Sequence, residues 1–445
     1  MVKRSRCRRG LKVTTGGRGV VSHAGARLLA DVADGVGLTG GLSAAMAPTK
    51  QRRRGHDRGE VVVDLAVMIA DGGERISDLA VLRDQSALFG EVASNPTAWR
   101  TLEAIDDDAL ARIKAARAEA RAAAWAAGAD PGFYVIDIDG TLVGSHSEKE
   151  GAAPTYKRGF GFHPLVSYLD ATGESLAGLL RPGNAGSGTA ADHVTILDES
   201  LAQLPVDPAD VEVVVRADSA GCSHDFLDAC ADRHVRFVVG HPLTQDIAAL
   251  LVDVPARRWV AAISADGTDE RDGAQVTEIT KKVDLSGWPA GTRLIARRED
   301  PHPGAQLTFT DIDGHRYQTF ITNLADTDIA YLEALYRGRG RAEQRICNAK
   351  DTGLAKLPSV TFAINQAWLQ LTLIAQDLLA WTQLLLLDGE LARAEPKRLR
   401  YQLLHTAAIM VRRGRQRWLR IADSWPWADQ LIAAFGRLHN LPLRT

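Results

Sequence analysis

The sequence predicts a mixed α/β protein, a sheet-bearing core split by a β-rich insertion and flanked by helical regions. Three observations carry this. Apolar residues alternate over Phe133–Gly144, and two further runs, His163–Asp170 and Gly173–Arg181, follow across the short turn Ala171-Thr172-Gly173, which reads as a strand and then a hairpin. Next, a helix at 189–204, the near-continuous apolar run Val211–Asp218, a helix at 223–233 and the run Val235–Gly240 alternate as buried α/β units do. Finally, short strands with polar turns fill 256–325, and helical patterning returns from Asp326 to the end.

These changes of texture set the expected divisions. Residues 1–130 form an N-terminal region, Gly- and Arg-rich at first, with a short helix near Ala24–Val36 and helices from Val61 to Gly128. Asp107 or Asp108 is expected to cap the last of these helices, and Gly128 and Pro131 to end it. The core occupies 131–240, the insertion 241–325, the last core helix 326–357, and a helical region that is a candidate for dimerisation 358–445. No internal repeat of roughly 20–50 residues is present.

Composition narrows the class. With 445 residues, 45% apolar and 24% charged, the chain is neither disordered, nor collagen, nor a coiled coil. Four cysteines without a C-x-x-C pair suit neither a disulfide framework nor a zinc site, and a reducing cytoplasm fits best. The basic start lacks a following apolar stretch, so no secretory signal is expected. Ala367–Leu387 is long and apolar, but Gln370, Gln376, Asp377 and Gln383 make it a buried amphipathic helix and not a membrane span. The net charge of −2 hides a segregation: +9 over residues 1–60, +8 over 391–420, and −19 over 61–390. Basic ends around an acidic middle suit a protein that grips a polyanion and holds cations in its centre, although solvated surface produces similar charge blocks.

Three acids stand out. Asp139 ends the first strand in Asp-Gly-Thr, Asp218 ends the fourth in Arg-Ala-Asp-Ser, and Glu343 lies on the helix after the insertion. Strand ends of α/β sheets are where sites open. Two such aspartates and a glutamate can converge on hard cations: Mg²⁺ or Mn²⁺, two ions about 3.5–4 Å apart, clamping the attacking and leaving oxygens of a phosphoryl transfer. Around Glu343 the chain reads Tyr336, Arg339, Glu343, Lys350 at intervals of 3, 4 and 7 residues, which on one α-helix keeps all four on one face. Arg339 suits bidentate phosphate binding, Lys350 acts as a point charge, and Tyr336 can donate a hydrogen bond to phosphate. A surface amphipathic helix with an Arg–Glu pair is the alternative.

This spacing matches the Y-(2)-R-(3)-E-(6)-K signature of bacterial insertion-sequence DDE transposases at every position. The two aspartate motifs and the loop Leu180-Arg181-Pro182-Gly183-Asn184 also resemble that family, closest to the insertion-sequence thirteen-eighty group. The order of elements resembles a ribonuclease H-like core with an insertion before its last catalytic helix. The resemblance covers nearly the whole chain and is strongest over 133–350. It implies Asp139, Asp218 and Glu343 as metal-binding catalytic acids, cleavage and strand transfer at terminal inverted repeats, double-stranded DNA as partner, and a homodimer in a synaptic complex. It also places the protein at the bacterial nucleoid.

Further DNA contacts are expected from Arg52, Arg53 and Arg54 in an exposed basic loop, and from Arg412, Arg413, Arg415 and Arg417. Of the insertion's aromatic residues, Trp259, Trp288, Tyr317 and Phe320, core packing is the commoner fate, but in relatives one such residue stacks on a flipped base. Other readings stay open. A DNA-binding relative with a dead site is one. Asp137-Ile138-Asp139-Gly140-Thr141-Leu142-Val143 also matches the first motif of haloacid dehalogenase-type phosphatases, which would make Asp137 a nucleophile and leaves it a rival to Asp139 as first metal ligand.

Overall fold

The computed structural model describes residues 14–50, 55–146, 148–264, 267–301, 304 and 311–441. A two-residue strand β1 (Val20–Val21) leads into α1 (Arg27–Gly35), α2 (Leu38–Met46) and α3 (Arg58–Ala70), then the single turns α4 (Ala80–Arg83) and α5 (Ser86–Phe89), and α6 (Asn95–Glu103) and α7 (Asp107–Ala124). Asp106, not Asp107 or Asp108, caps α7: it alone stands outside the helix in an extended conformation, and its carboxylate accepts from the Ala109 N–H three residues on.

The core follows the expected order. Strand β2 (Tyr134–Gly140) is followed by three short strands, β3 (Val143–Gly144), β4 (Ala153–Pro154) and β5 (Phe160–Phe162), which form a small sheet the sequence did not signal. Then come β6 (Leu165–Leu169), β7 (Ser175–Leu179), α8 (Ala190–Leu201), β8 (Val213–Ala217), α9 (His224–Asp232) and β9 (Arg236–His241). The hairpin β6–β7 pairs antiparallel beside β2, while β8 and β9 run parallel to it on the other side.

The insertion holds a helix that β-patterning alone did not predict, α10 (Gln245–Val252), then β10 (Val260–Ile263), β11 (Glu270–Glu278), β12 (Arg293–Glu299), β13 (Asp311–Ile312) and β14 (His315–Thr322). Most of the strand expected at 305–312 lies outside the described residues. The insertion extends the core sheet: β14 pairs with β9, giving the order β10-β11-β12-β14-β9-β8-β2-β6-β7 with β13 on β14.

Helices α11 (Ile329–Arg337) and α12 (Gly340–Ala349) follow, then α13 (Phe362–Leu386), α14 (Pro396–Leu399), strands β15 (Ala408–Arg413) and β16 (Gln416–Ile421), and α15 (Ala428–Asn440). The C-terminal region is therefore not wholly helical. β15 and β16 make a hairpin turning at Gly414 (φ 61°), and β1 from the far end of the chain pairs with β15. The hairpin's inner face, Ala408, Met410, Leu419 and Ile421, packs with Val21, Ala24 and Leu88. The outer face carries Ile409 and Trp418, both exposed, so the period-2 burial of one face and not a polar pattern marks the ribbon.

Helix α13 passes the length and hydropathy of a membrane span, but 83% of that window is buried within the fold. One hydrophobic cluster runs from α1 through the sheet to α13 and α15, so both terminal regions share a core. Within the region 358–445 that is a candidate for dimerisation, α13 is thus buried in the chain's own core, as its polar residues implied. The polar residues of α13 have partners. Asp377 accepts from Arg117 at 2.6 Å and Arg121 at 2.7 Å, and Arg121 also reaches Glu174 at 3.0 Å, with all four side chains essentially inaccessible. Trp381 and Trp125 donate to the same Glu174. This network joins α7, β7 and α13.

Candidate active site

Strand alternation decides which side chains meet. Val135 of β2 and Val214 of β8 belong to the cluster covered by α11, with Phe320, Leu332 and Tyr336. Two residues along, on the same face, stand Asp137 and Arg216, direct partners in the parallel register. Two further, at the strand ends, come Asp139 and Asp218. The register that pairs Asp137 with Arg216 thus brings Asp139 beside Asp218, under α11 and α12.

Asp137 is spoken for. It is 1% exposed, and Arg216 grips both its oxygens at 2.7 Å. Arg216 also lies 3.1 Å from Asp170, which Arg341 holds in turn. A carboxylate enclosed in this way cannot act as a nucleophile, and β6 runs antiparallel where a phosphatase of that type needs helix-linked parallel strands. The phosphatase reading is therefore overturned. The signal for the Asp137–Arg216 pair was in the sequence: each residue stands two before a site aspartate. Asp170, Arg341 and Arg345, which support it from β6 and α12, carried no such signal.

Asp139 is partly open. Its Oδ1 accepts from the Gly140 N–H at 2.8 Å, and Arg339 Nη1 lies 3.7 Å from its Oδ2. Burial pushes its carboxyl up to about 6; Arg339 opposes this, while Asp218 and Glu343 add to it. Asp218 caps the turn after β8, its Oδ1 accepting from Ala220 N–H at 2.9 Å. Glu343 sits in the first turn of α12 with a 71% exposed side chain, 3.9 Å from Arg339 Nη2. Asp139 and Glu343 thus flank one guanidinium, and the charge of Asp218 acts on Asp139 from the neighbouring strand. Oxygen-only donors of this kind fit Mg²⁺ or Mn²⁺.

The four spaced residues are not on one regular helix. Arg216 Nη1 donates to the Leu335 carbonyl at 2.8 Å, the acceptor that Arg339 N–H would use in an α-helix. Arg339 N–H turns instead to Tyr336 O, and Arg341 and Ala342 continue with bonds three residues back. The chain tightens there, separating α11 from α12. Tyr336 ends up on α11, stacked on Phe320 with ring centroids 4.8 Å apart, its hydroxyl against Gly240 and its pKa raised by burial. Arg339 lies at the junction, and Lys350 opens a π turn beyond α12. Seven residues of helix put Lys350 about 10 Å along the axis from Glu343.

Other expected residues lie elsewhere. Arg412, Arg413, Arg415 and Arg417 are exposed on the β15–β16 hairpin, in a sheet separate from the core. Arg52, Arg53 and Arg54 are outside the described residues. Trp259, Tyr317 and Phe320 are buried. Trp288 differs: it is half-buried and stacks on His224 at 3.9 Å, beside His241 at the end of β9. Two side chains of the site's floor had no assigned role in the sequence: His163 and Arg181, both 3% exposed and both against Gly140.

Fold and site together define a sheet-based α/β protein with Asp139 and Asp218 at the ends of neighbouring parallel strands and Glu343 on the helix above, linked to Asp139 through Arg339. A family model described as transposase DDE domain group 1 matches residues 3–443, and the chain belongs to that family of DDE transposases. Comparison with curated proteins gave no match. Among solved structures, the chain is similar to a piggyBac transposase synaptic complex with hairpin DNA, determined by cryo-EM, with a TM-score of 0.43 and 11% identity over 85% of this chain and 80% of that one.

Proposed function

We propose that this DDE transposase is the enzyme of an insertion sequence of the thirteen-eighty group, binding terminal inverted repeats and carrying out strand cleavage and strand transfer. The observation that supports the reading is the position of Asp139 and Asp218 at the ends of the paired strands β2 and β8, with Arg339 lying between Asp139 and Glu343 of α12. In cleavage, water attacks a phosphorus at the element's end and the P–O3′ bond breaks, leaving a 3′-OH and a 5′-phosphate. In transfer, that 3′-OH attacks a target phosphorus and displaces the target's own 3′ oxygen. Two divalent cations, Mg²⁺ or Mn²⁺, supply the charge that activates the entering oxygen and steadies the leaving one. Asp139, Asp218 and Glu343 hold them, Arg339 and Lys350 anchor DNA phosphates, and Tyr336 keeps Arg339 in place. The exposed arginines of the hairpin bind the backbone further away, and Arg52, Arg53 and Arg54 add phosphate contacts. Trp288, on the insertion and beside the strand ends, is the aromatic placed to take a displaced base. Two element ends must be joined, so the working assembly is a homodimer on DNA.

The test is cleavage of a duplex carrying the element's inverted repeat, with and without Mg²⁺. Asp139→Asn, Asp218→Asn and Glu343→Gln should each abolish nicking while end binding persists. Cleavage that survives all three changes would refute the assignment, and end binding with no cleavage by the unaltered chain would favour a dead relative.

A further inference from the structure

A second group of ligand-type side chains lies on none of the elements that carry the acids. His23 precedes the first helical turn, Asp71 closes α3, and His405 stands just before β15. His23 Nδ1 is 2.5 Å from Asp71 Oδ2, and His405 Nε2 is 3.2 Å from Asp71 Oδ1. The imidazole centroids are 4.2 Å apart at 47°. One atom from each residue falls within 4.8 Å of the others.

Hydrogen bonding accounts for only part of this group, the contact of His23 Nδ1 with Asp71 Oδ2. The Asp71 side chain is 3% exposed, and its Oδ1 has no hydrogen-bond partner among the described residues. His405 Nε2 faces the Asp71 backbone carbonyl at 2.9 Å as well as Oδ1 at 3.2 Å, and Asp71 raises the pKa of this imidazole. The neighbouring cation, Arg400, donates to Ala70 O, Asp351 O and the Thr352 hydroxyl, not to that oxygen. A buried carboxylate oxygen without a donor costs free energy unless a cation meets it. His23 is also held in the left-handed region (φ 55°, ψ 31°), a conformation a non-glycine residue keeps only where its surroundings impose it.

We propose that His23, Asp71 and His405 bind one Zn²⁺-class ion. Two imidazole nitrogens and a carboxylate are a borderline-soft donor set, which suits zinc and not Mg²⁺, and the ion must displace the proton that Asp71 favours on His405. Tetrahedral ligands about 2.0–2.2 Å from zinc lie roughly 3.3 Å from one another, within the spread already present. The fourth position is left to water. The role is structural. Val21 pairs with Ala408, and Ala24 N–H donates to Thr406 O, so the ion joins the chain's two ends beneath the arginine hairpin.

The test uses the full chain carrying Asp139→Asn, Asp218→Asn and Glu343→Gln, so that the carboxylate cluster cannot contribute and no DNA chemistry is read. After equilibrium dialysis against Zn²⁺, elemental analysis should find one ion per chain. Co²⁺ should give the visible absorption of a four-coordinate N/O site. His23→Gln with His405→Gln should lose both signals, with circular dichroism in EDTA checking that the variant folds. If it does not fold, the readout is thermal unfolding with the three ligands intact. A hundredfold excess of Zn²⁺ over its dissociation constant should raise the midpoint by about 3 °C, and equal Mg²⁺ should not. Uptake unchanged in the folded histidine variant, no stoichiometric zinc, or an equal shift with Mg²⁺ would each overturn the site.

Discussion

At the scale of single residues, the proposed role of Asp139 as a metal ligand sets function against stability. Its carboxyl is raised from 3.8 to about 6, chiefly by burial. Between those values the folded chain holds a proton that the unfolded chain has released. The stabilisation is complete below the unfolded value and is lost as pH rises through about 6. The metal-free protein should therefore lose stability from pH 4 to pH 7, as read by denaturant melts in EDTA. Asp139→Asn should gain about 1–3 kcal/mol at pH 7.5, since each pH unit separating the folded from the unfolded carboxyl is worth about 1.36 kcal/mol, while cleavage falls more than about a hundredfold. At sub-saturating Mg²⁺, wild-type cleavage should fall below about pH 6 as protons compete for the carboxylate. Asp137→Asn should behave oppositely. It leaves Arg216 half-paired in a buried site, so stability should drop by about 3–5 kcal/mol. A stabilised Asp137→Asn protein that binds DNA and cannot cleave would make Asp137 the ligand instead.

At the scale of elements, the tightened turn between α11 and α12 sets where Glu343 points. Gly338 permits it: a Cβ there would lie 2.3 Å from Arg216 Nη1. Gly338→Ala should push Arg216 off the Leu335 carbonyl, let α11 run on into α12, and turn Glu343 away from Asp139. The Mg²⁺ concentration needed for half-maximal cleavage should rise tenfold or more, about 1.4 kcal/mol of lost binding, with little change in DNA affinity. An unchanged Mg²⁺ dependence would mean that the turn does not aim the glutamate. On α13, Asp377 is buried between two arginines and also accepts from the Ser175 N–H. Asp377→Ala leaves both guanidiniums buried with one acid between them, and urea melts should register a loss of about 3–5 kcal/mol.

At the scale of the whole molecule, the basic ends of the chain meet through β1, β15 and the shared core. Truncation at residue 60 is a poor probe of DNA capture, because Leu28, Leu29, Val32, Leu38, Leu42 and Met46 are core residues. Substituting alanine at Arg412, Arg413, Arg415 and Arg417 touches only exposed side chains. Affinity for duplex DNA should fall equally for repeat and random sequences, and the slope of log affinity against log salt should lessen by about 0.9 for each phosphate that is no longer neutralised. A slope equal to wild type would remove the hairpin from the interface. Light scattering with a repeat duplex should give two chains and two duplexes; one chain joining both ends would refute the dimer.

Much was legible because it depends on local pattern. Alternation over Phe133–Gly144 and the near-continuous apolar run Val211–Asp218 placed the strands, and a carboxylate at the end of each followed from counting along them. The glutamines and the aspartate in Ala367–Leu387 marked a buried helix, because hydrocarbon leaves such groups without partners. Tertiary structure decided what depends on pairing. Only the β2–β8 register distinguishes Asp137 from Asp139, since both point to one face and one of them meets Arg216. Only the capture of the Leu335 carbonyl by a strand residue breaks the helix that the spacing of Tyr336, Arg339, Glu343 and Lys350 implied. The ribbon at 408–421 needs β1 and Leu88 beneath it to become a sheet. His23, Asp71 and His405 are too far apart in the chain for any spacing rule, and only the packing of both termini against α3 brings them together.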